Sequence, residues 1–255
     1  MITAYHRPKT LEEALRILAR PNTAALGGGT LLSHGQTDSV EAVDLQLLGL
    51  DSSTQSGNEL HLGATLTLQA LLESELCPEA LKPALKLEAP LNTRNSATVA
   101  GTLVACDGRS TFVTTLLAMD AKLEIREVEI GELKVKIQNL GIGEFLPLRE
   151  QLRGKLITKI VIPSNVKLAF ESVARTPSDK PIVCVAVAGW GSGRTRMAVG
   201  GYGKSPLLAM DGTSSDDVAT AARNAFHEAN DDWGSAEYRM DVAATLAKRC
   251  ADSLS

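Results

Sequence analysis

Aromatic side chains are scarce in this chain, 4% of its 255 residues, so Leu, Ala and Val must fill most of any interior. Cysteine is scarcer still: Cys77, Cys106, Cys184 and Cys250 are scattered and include no Cys-x-x-Cys pair. That spacing fits reduced thiols better than a disulfide framework, and it speaks against an iron–sulfur cluster or structural zinc held by this chain alone. His6, His34, His61 and His227 show no metal-ligand spacing either. There is no excess of basic residues. A formal charge of −4 argues against nucleic acid or an anionic membrane as the main partner, because both require a concentrated basic face. Long apolar runs are also missing. The longest, residues 182–190, reads as a buried strand, so no membrane insertion is expected. Residues 1–11 carry no hydrophobic signal core, and a cytoplasmic protein is the expectation.

What is present is ordinary for a globular protein, with 44% apolar and 22% charged residues. The length suits one large domain or two smaller ones. Thr10-Leu11-Glu12-Glu13 is a capping box, followed by a stripe of Leu11, Leu15 and Leu18, and Pro21-Asn22 ends that helix. Strands are expected at residues 24–26, 40–45 and 60–64, with a helix beginning over 67–73. A helix over 110–119 leads into an alternating strand, 122–129, which pairs with 135–137 through a turn around Gly131. Another strand covers 156–162, and Pro163-Ser164-Asn165 reads as a boundary. Beyond it, 169–174, 182–190 and 194–200 form an antiparallel meander with Gly191-Ser192-Gly193 as its hairpin loop, and helices over 215–230 and 235–250 follow. Strands followed by helices indicate an α+β protein of two modules, residues 1–165 (itself divided near 55) and 166–255.

Few side chains propose chemistry of their own. Asp107, Asp120, Glu41 and Asp44 have no acid–base spacing, and Ser33-His34 forms no nucleophile elbow. Gly200-Gly201-Tyr202-Gly203-Lys204-Ser205 mimics the tail of a P-loop, but Ala198 stands where the motif needs its first glycine, so the segment reads as a strand-end turn. No catalytic residue and no metal ligand is therefore assigned, a pattern that fits chemistry carried by a bound cofactor. Gly27-Gly28-Gly29-Thr30 follows an apolar strand. Consecutive glycines permit positive φ and bring amides close to an anion. Taken alone, a triple glycine is more often a flexible turn. A second glycine-bearing turn is read at Thr98-Val99-Ala100-Gly101-Thr102.

The stretch from Asn92 through Arg94, Asn95, Ala97, Thr98 and Gly101 to Thr102, continuing to Leu116-Leu117-Ala118-Met119-Asp120-Ala121, resembles the FAD-binding subunit family of molybdenum hydroxylases, relatives of xanthine dehydrogenase and aerobic carbon monoxide dehydrogenase. Gly28-Gly29-Thr30, Leu62-Gly63-Ala64-x-x-Thr67, the Arg175 and Asp179 segment and Ser235-Ala236-Glu237-Tyr238-Arg239 fit further motifs of that family in the same order. The resemblance runs nearly end to end. It implies a FAD-binding region of the vanillyl-alcohol-oxidase or PCMH type, built of two subdomains, and a C-terminal three-stranded antiparallel sheet with helices. It places Leu26, Gly27, Gly28, Gly29, Thr30, Leu31, Asn92, Asn95, Thr98, Ala100, Gly101, Thr102 and Thr111 around FAD, with amides of both turns directed at the diphosphate. It further implies an oxidoreductase flavoprotein subunit working with a molybdopterin-binding large subunit and a two-iron–two-sulfur small subunit, and passing electrons to NAD or another acceptor. Ala100, Thr102, Thr111 and Leu31 depart from the family pattern. A second reading, in which the fold persists without flavin as an assembly module, rests on those departures.

Overall fold

In the computed structural model, which describes residues 1–32, 39–128, 135–213 and 217–254, the capping box forms in a shifted version. Thr10 Oγ1 accepts from the Glu13 amide at 3.2 Å, while Glu13 Oε2 accepts from the Lys9 amide at 2.9 Å. Two of the amides at the helix entry are thereby satisfied, and the helix runs over Leu11–Leu18. The Ser33-His34 pair, the turn around Gly131, the end of the strand expected to reach 129 and the helix start expected at 215 lie outside the described residues.

The chain divides into two compact units interleaved along the sequence. The first comprises Met1–Leu76, Leu91–Ala105 and Lys122–Val161. It opens with β1 (Ile2–His6), the helix Leu11–Leu18, β2 (Thr23–Leu26) and β3 (Val40–Asp44), which form a parallel sheet of order β1-β3-β2. The helix stripe of Ala14, Leu15 and Leu18 packs with Val43, Leu45 and Leu156 into a buried core. A second sheet, of order β4-β5-β8-β6-β7, combines β4 (Ser53–Ser56), β5 (Glu59–Gly63), β6 (Lys122–Val128), β7 (Val135–Gly141) and β8 (Lys155–Pro163). Between β5 and β6 come the helices Leu68–Glu73, Leu91–Arg94 and Val99–Ala105, so residues 99–102, read as a turn from sequence, are the first turn of a helix capped by Thr98.

The second unit comprises Cys77–Pro90, Cys106–Ala121 and Ile162–Ser255. Its antiparallel sheet runs β9 (Val166–Val173), β10 (Val183–Trp190), β11 (Thr195–Gly200) and β12 (Leu207–Gly212) in spatial order β12-β11-β10-β9. The three meander strands expected from the sequence are present, and β12 adds a fourth. It escaped the sequence pattern because it is an edge strand whose Leu207 and Leu208 are exposed, which removes the alternation that marks a half-buried strand. The helices Val218–Asn224 and Ala236–Leu254 pack on the sheet through Val218, Ala222, Ala243, Leu246 and Cys250 against Val185, Val187 and Val199. No helix among the described residues is long and apolar enough to cross a membrane.

Candidate functional site

β2 ends at Leu26, and the chain then enters Gly27-Gly28-Gly29-Thr30, which walls a cavity of about 570 Å³ within the first unit. Gly29 holds φ at 73°, a left-handed conformation that glycine adopts without steric cost. The second glycine-bearing segment lies directly against the first. A Cβ at Gly28 would fall 1.5 Å from the Ser96 carbonyl oxygen, and one at Gly27 would fall 2.9 Å from Thr98 Oγ1. A Cβ at Gly101 would meet the same hydroxyl at 2.7 Å. The two segments can therefore approach here only because Gly27 and Gly28 lack a side chain. Thr98, buried at 5% exposure, is the post between them.

The two segments differ in what they offer an anion. Val99 donates to the Leu66 carbonyl at 2.9 Å, Ala100 to Ala64 at 3.2 Å and Thr102 to Thr98 at 2.8 Å. The Gly101 amide donates to Thr98 Oγ1 at 3.1 Å. The expectation that amides of both segments face a diphosphate is thus corrected: from 99 to 102 they are engaged inside the protein. The Gly27, Gly28 and Thr30 amides, by contrast, have no acceptor among the described residues. Free donors on a glycine-lined wall, with no Cβ to hold an anion at a distance, suit a diphosphate. The residues present therefore fit FAD, with the first segment as donor and the second as its support.

Of the residues singled out from sequence, Gly27 to Leu31, Thr98, Ala100 and Gly101 line this cavity. Leu26 ends β2, and its carbonyl accepts from the Leu45 amide at 3.1 Å. Asn92 and Asn95 are exposed at the short helix Leu91–Arg94, which Arg94 ties to the neighbouring helix through a 2.9 Å bond from Nε to Gln69 Oε1. Thr102 Oγ1 donates back to the Thr98 carbonyl at 2.9 Å, as polar residues in a first helical turn commonly do. Thr111 lies in the second unit, fully buried, and its hydroxyl donates to the Ala84 carbonyl at 2.7 Å. Beside it the Glu88 carboxylate accepts from Ser110, Thr111 and the Phe112 amide, and burial nevertheless holds its pKa above the ordinary value.

Sequence reasoning missed several wall residues, including Asn22, Thr23, Val104 and the stretch from Leu152 to Ile157. Gly154, with φ at 72°, was the available signal there. The Gly63-Ala64 junction, in contrast, was recognised, and Ala64 and Thr65 do line the cavity. No cysteine offers a nucleophile: all four are buried and none forms a disulfide, and burial pushes the Cys184 thiol up to about 12. The C-terminal motif proves structural. Arg239 is fully buried and donates to the carbonyls of Ile182, Ala229 and Gly234 and to Asp231, fastening its helix to the preceding loop.

Comparison with known proteins bears on the same geometry. The family model described as the FAD binding domain in molybdopterin dehydrogenase matches residues 1–165. YgfM of Escherichia coli K12, an uncharacterised protein, is 28% identical over 258 residues, covering 96% of this chain and 94% of YgfM. Subunit alpha of the 6-hydroxypseudooxynicotine dehydrogenase complex of Paenarthrobacter nicotinovorans is 27% identical, covering 94% of this chain and 90% of that subunit. Among solved structures, a chain of reconstituted CO dehydrogenase from Oligotropha carboxidovorans superposes with a TM-score of 0.81 at 22% identity, covering 98% of this chain and 96% of that one. That likeness shows a shared fold, the α+β architecture expected from the sequence. With a family match over residues 1–165, the chain belongs to the FAD-binding family of the molybdopterin dehydrogenases, an oxidoreductase flavoprotein whose cofactor is FAD.

Proposed function

We propose that this chain is the flavin relay of a cytoplasmic molybdenum hydroxylase. Electrons would arrive from a molybdopterin-binding large subunit by way of a two-iron–two-sulfur small subunit and leave to NAD or another acceptor. Bound FAD supplies the redox chemistry, because it can exchange electrons with one-electron and two-electron partners. The chain's own residues bind and position. Gly27, Gly28 and Thr30 donate amides to the diphosphate, Gly29 sets the turn, and Leu26 and Leu31 flank it. Thr98, Ala100 and Gly101 hold the opposing wall, and Thr98 also keeps the two segments in register. Asn92, Asn95 and Thr102 shape the approach to that wall. We assign residues 1–165 to the FAD-binding region, in subdomains of about 1–55 and 56–165, and 166–255 to a C-terminal flavoprotein domain; the span of the family match supports this division.

The observation that carries this reading is the set of Gly27, Gly28 and Thr30 amides on the cavity wall, which have no acceptor among the described residues. A protein that kept the fold only for assembly would have no need of three free donors in a glycine-lined concavity. The purified protein should show a flavin absorbance spectrum and release stoichiometric FAD on denaturation, identified by mass. Anaerobic NADH should bleach that spectrum if NAD is the acceptor; bleaching by dithionite alone assigns a different acceptor. Absence of flavin that persists after incubation with FAD would overturn the relay and leave the assembly reading in its place.

A further inference from the structure

The second unit holds a cavity of its own, of about 490 Å³, at the hairpin end of its sheet. It opens where a row of side chains is interrupted. Alternate residues of a strand face the same side, and on β10 Val183, Val185 and Val187 pack with Ala243, Leu246, Ala247 and Cys250 of the helix Ala236–Leu254. The next member of that row is Gly189, which brings no side chain to the last turn of the helix. Its φ is not positive, and a Cβ there would meet only Leu254 Cδ1, at 4.0 Å, an ordinary contact. No bulge interrupts the register either: Gly189 pairs with Lys167 on one side and with Thr195 on the other. Of the usual reasons for a glycine inside a strand, room for a ligand is the one that remains.

Val187 is fully buried and Lys167 is exposed, so the cavity runs from the core to the surface. Its inner wall of Val187, Gly189, Ala251 and Leu254 carries no polar side chain. Two cations stand at its outer part, and they are not equivalent. Arg194 is matched by Asp120 at 2.9 Å and Asp211 at 2.8 Å. Lys167 has no carboxylate partner among the described residues. Its Nζ donates to the Leu254 carbonyl at 3.1 Å, which places the ammonium at the helix end beside the cavity. That bond uses one of three donors and leaves two. Thr195, in the same cross-strand row, has a hydroxyl with no partner among the described residues. An apolar interior with an unmatched ammonium and a free hydroxyl at its mouth suits a ligand with a hydrocarbon tail and a single negative head.

We propose that this cavity binds an apolar monocarboxylate, with its tail in the space left by Gly189 and its carboxylate on Lys167 and the Thr195 hydroxyl. The site lies in the second unit and is independent of the flavin reading. Calorimetric titration of the purified full chain with octanoate, and with octanol as the uncharged counterpart, tests it. Octanoate should bind the wild type saturably, with single-site stoichiometry. Gly189→Val fills the cavity and should abolish binding of both ligands while the melting temperature holds. Lys167→Met keeps an apolar stem and should weaken octanoate roughly tenfold, leaving octanol unchanged. No saturable octanoate binding to the wild type, or binding that survives in Gly189→Val, would overturn the site. If Lys167→Met weakens both ligands equally, or neither, the lysine serves only the helix end and the carboxylate assignment falls. Should Gly189→Val fail to fold, the Lys167→Met comparison decides alone.

Discussion

At the residue scale, Thr98 and Gly28 decide whether the cavity exists. Thr98 Oγ1 accepts from Gly101 and closes the gap to Gly27, so one hydroxyl serves as helix cap and as spacer. Thr98→Val keeps the shape and removes the acceptor. A cap of this kind is worth about 0.5–2 kcal/mol, so a lower melting temperature and weaker FAD binding are expected together. Gly28→Ala acts differently, because its new Cβ would need the space held by the Ser96 carbonyl, 1.5 Å away, and the two segments must separate. FAD content, read as flavin absorbance per protein, should fall by at least about tenfold. Gly191→Ala, where nothing stands within 4 Å of the added methyl, should leave it unchanged. Full occupancy in Gly28→Ala would remove that residue from the diphosphate wall. The glycines and Thr98 were legible as a pattern in sequence. Their contact was not, because residues 28 and 96 meet only when the backbone folds.

At the element scale, the strands of the two units show why some segments announced themselves and others did not. The residues 182–190 run is buried on both faces over much of its length and stands out as continuous apolar sequence, whereas edge strands β1 and β12 expose Ile2, Tyr5, Leu207 and Leu208 and leave no such trace. Two arginines, Arg194 just before β11 and Arg196 on it, fasten its neighbours electrostatically. Arg194 grips Asp211 with two bonds of 2.8 Å, and both arginines also reach Asp120, which turns the chain with φ at 56°. The Arg194 hydrogen bonds, first, and the nearby Arg196 charge hold the Asp211 carboxyl below its ordinary range despite some burial. A carboxylate with a depressed folded pKa stabilises the native state above its unfolded value of about 3.9, and the contribution is lost as pH falls through the folded value. The wild-type melting temperature should therefore drop more steeply below about pH 4 than that of Asp211→Asn. Thermal scans between pH 6 and pH 3 check this, and parallel curves for the two proteins would show that the pair contributes nothing. The partial exposure of both partners keeps the effect modest.

At the scale of the whole molecule, the two units are discontinuous in sequence, so each depends on contacts between distant segments. The cavity itself draws on residues from Leu18 to Ile157, all in the first unit. A ligand that binds only the assembled cavity must stabilise the fold by mass action. FAD at a hundred times its Kd should add about 2.7 kcal/mol, a rise of roughly 5–10 °C in melting temperature for a chain of this size. The rise should grow with FAD concentration; a melting temperature indifferent to FAD would mean that the folded chain does not bind it.

By itself the sequence determined the family, the cofactor and the α+β class. These rest on ordered motifs and on local rules: an apolar strand before glycines, capping residues before helices, apolar runs that must be buried. Tertiary structure alone decided which polar groups remain free. Residues 99 to 102 carry amides just as 27 to 30 do, but the carbonyls of Leu66, Ala64 and Thr98 reach three of them and the Thr98 hydroxyl the fourth, while no acceptor among the described residues reaches Gly27, Gly28 or Thr30. Hydrogen-bond partners distant along the chain are set by packing, and only packing shows which donors are left for a ligand.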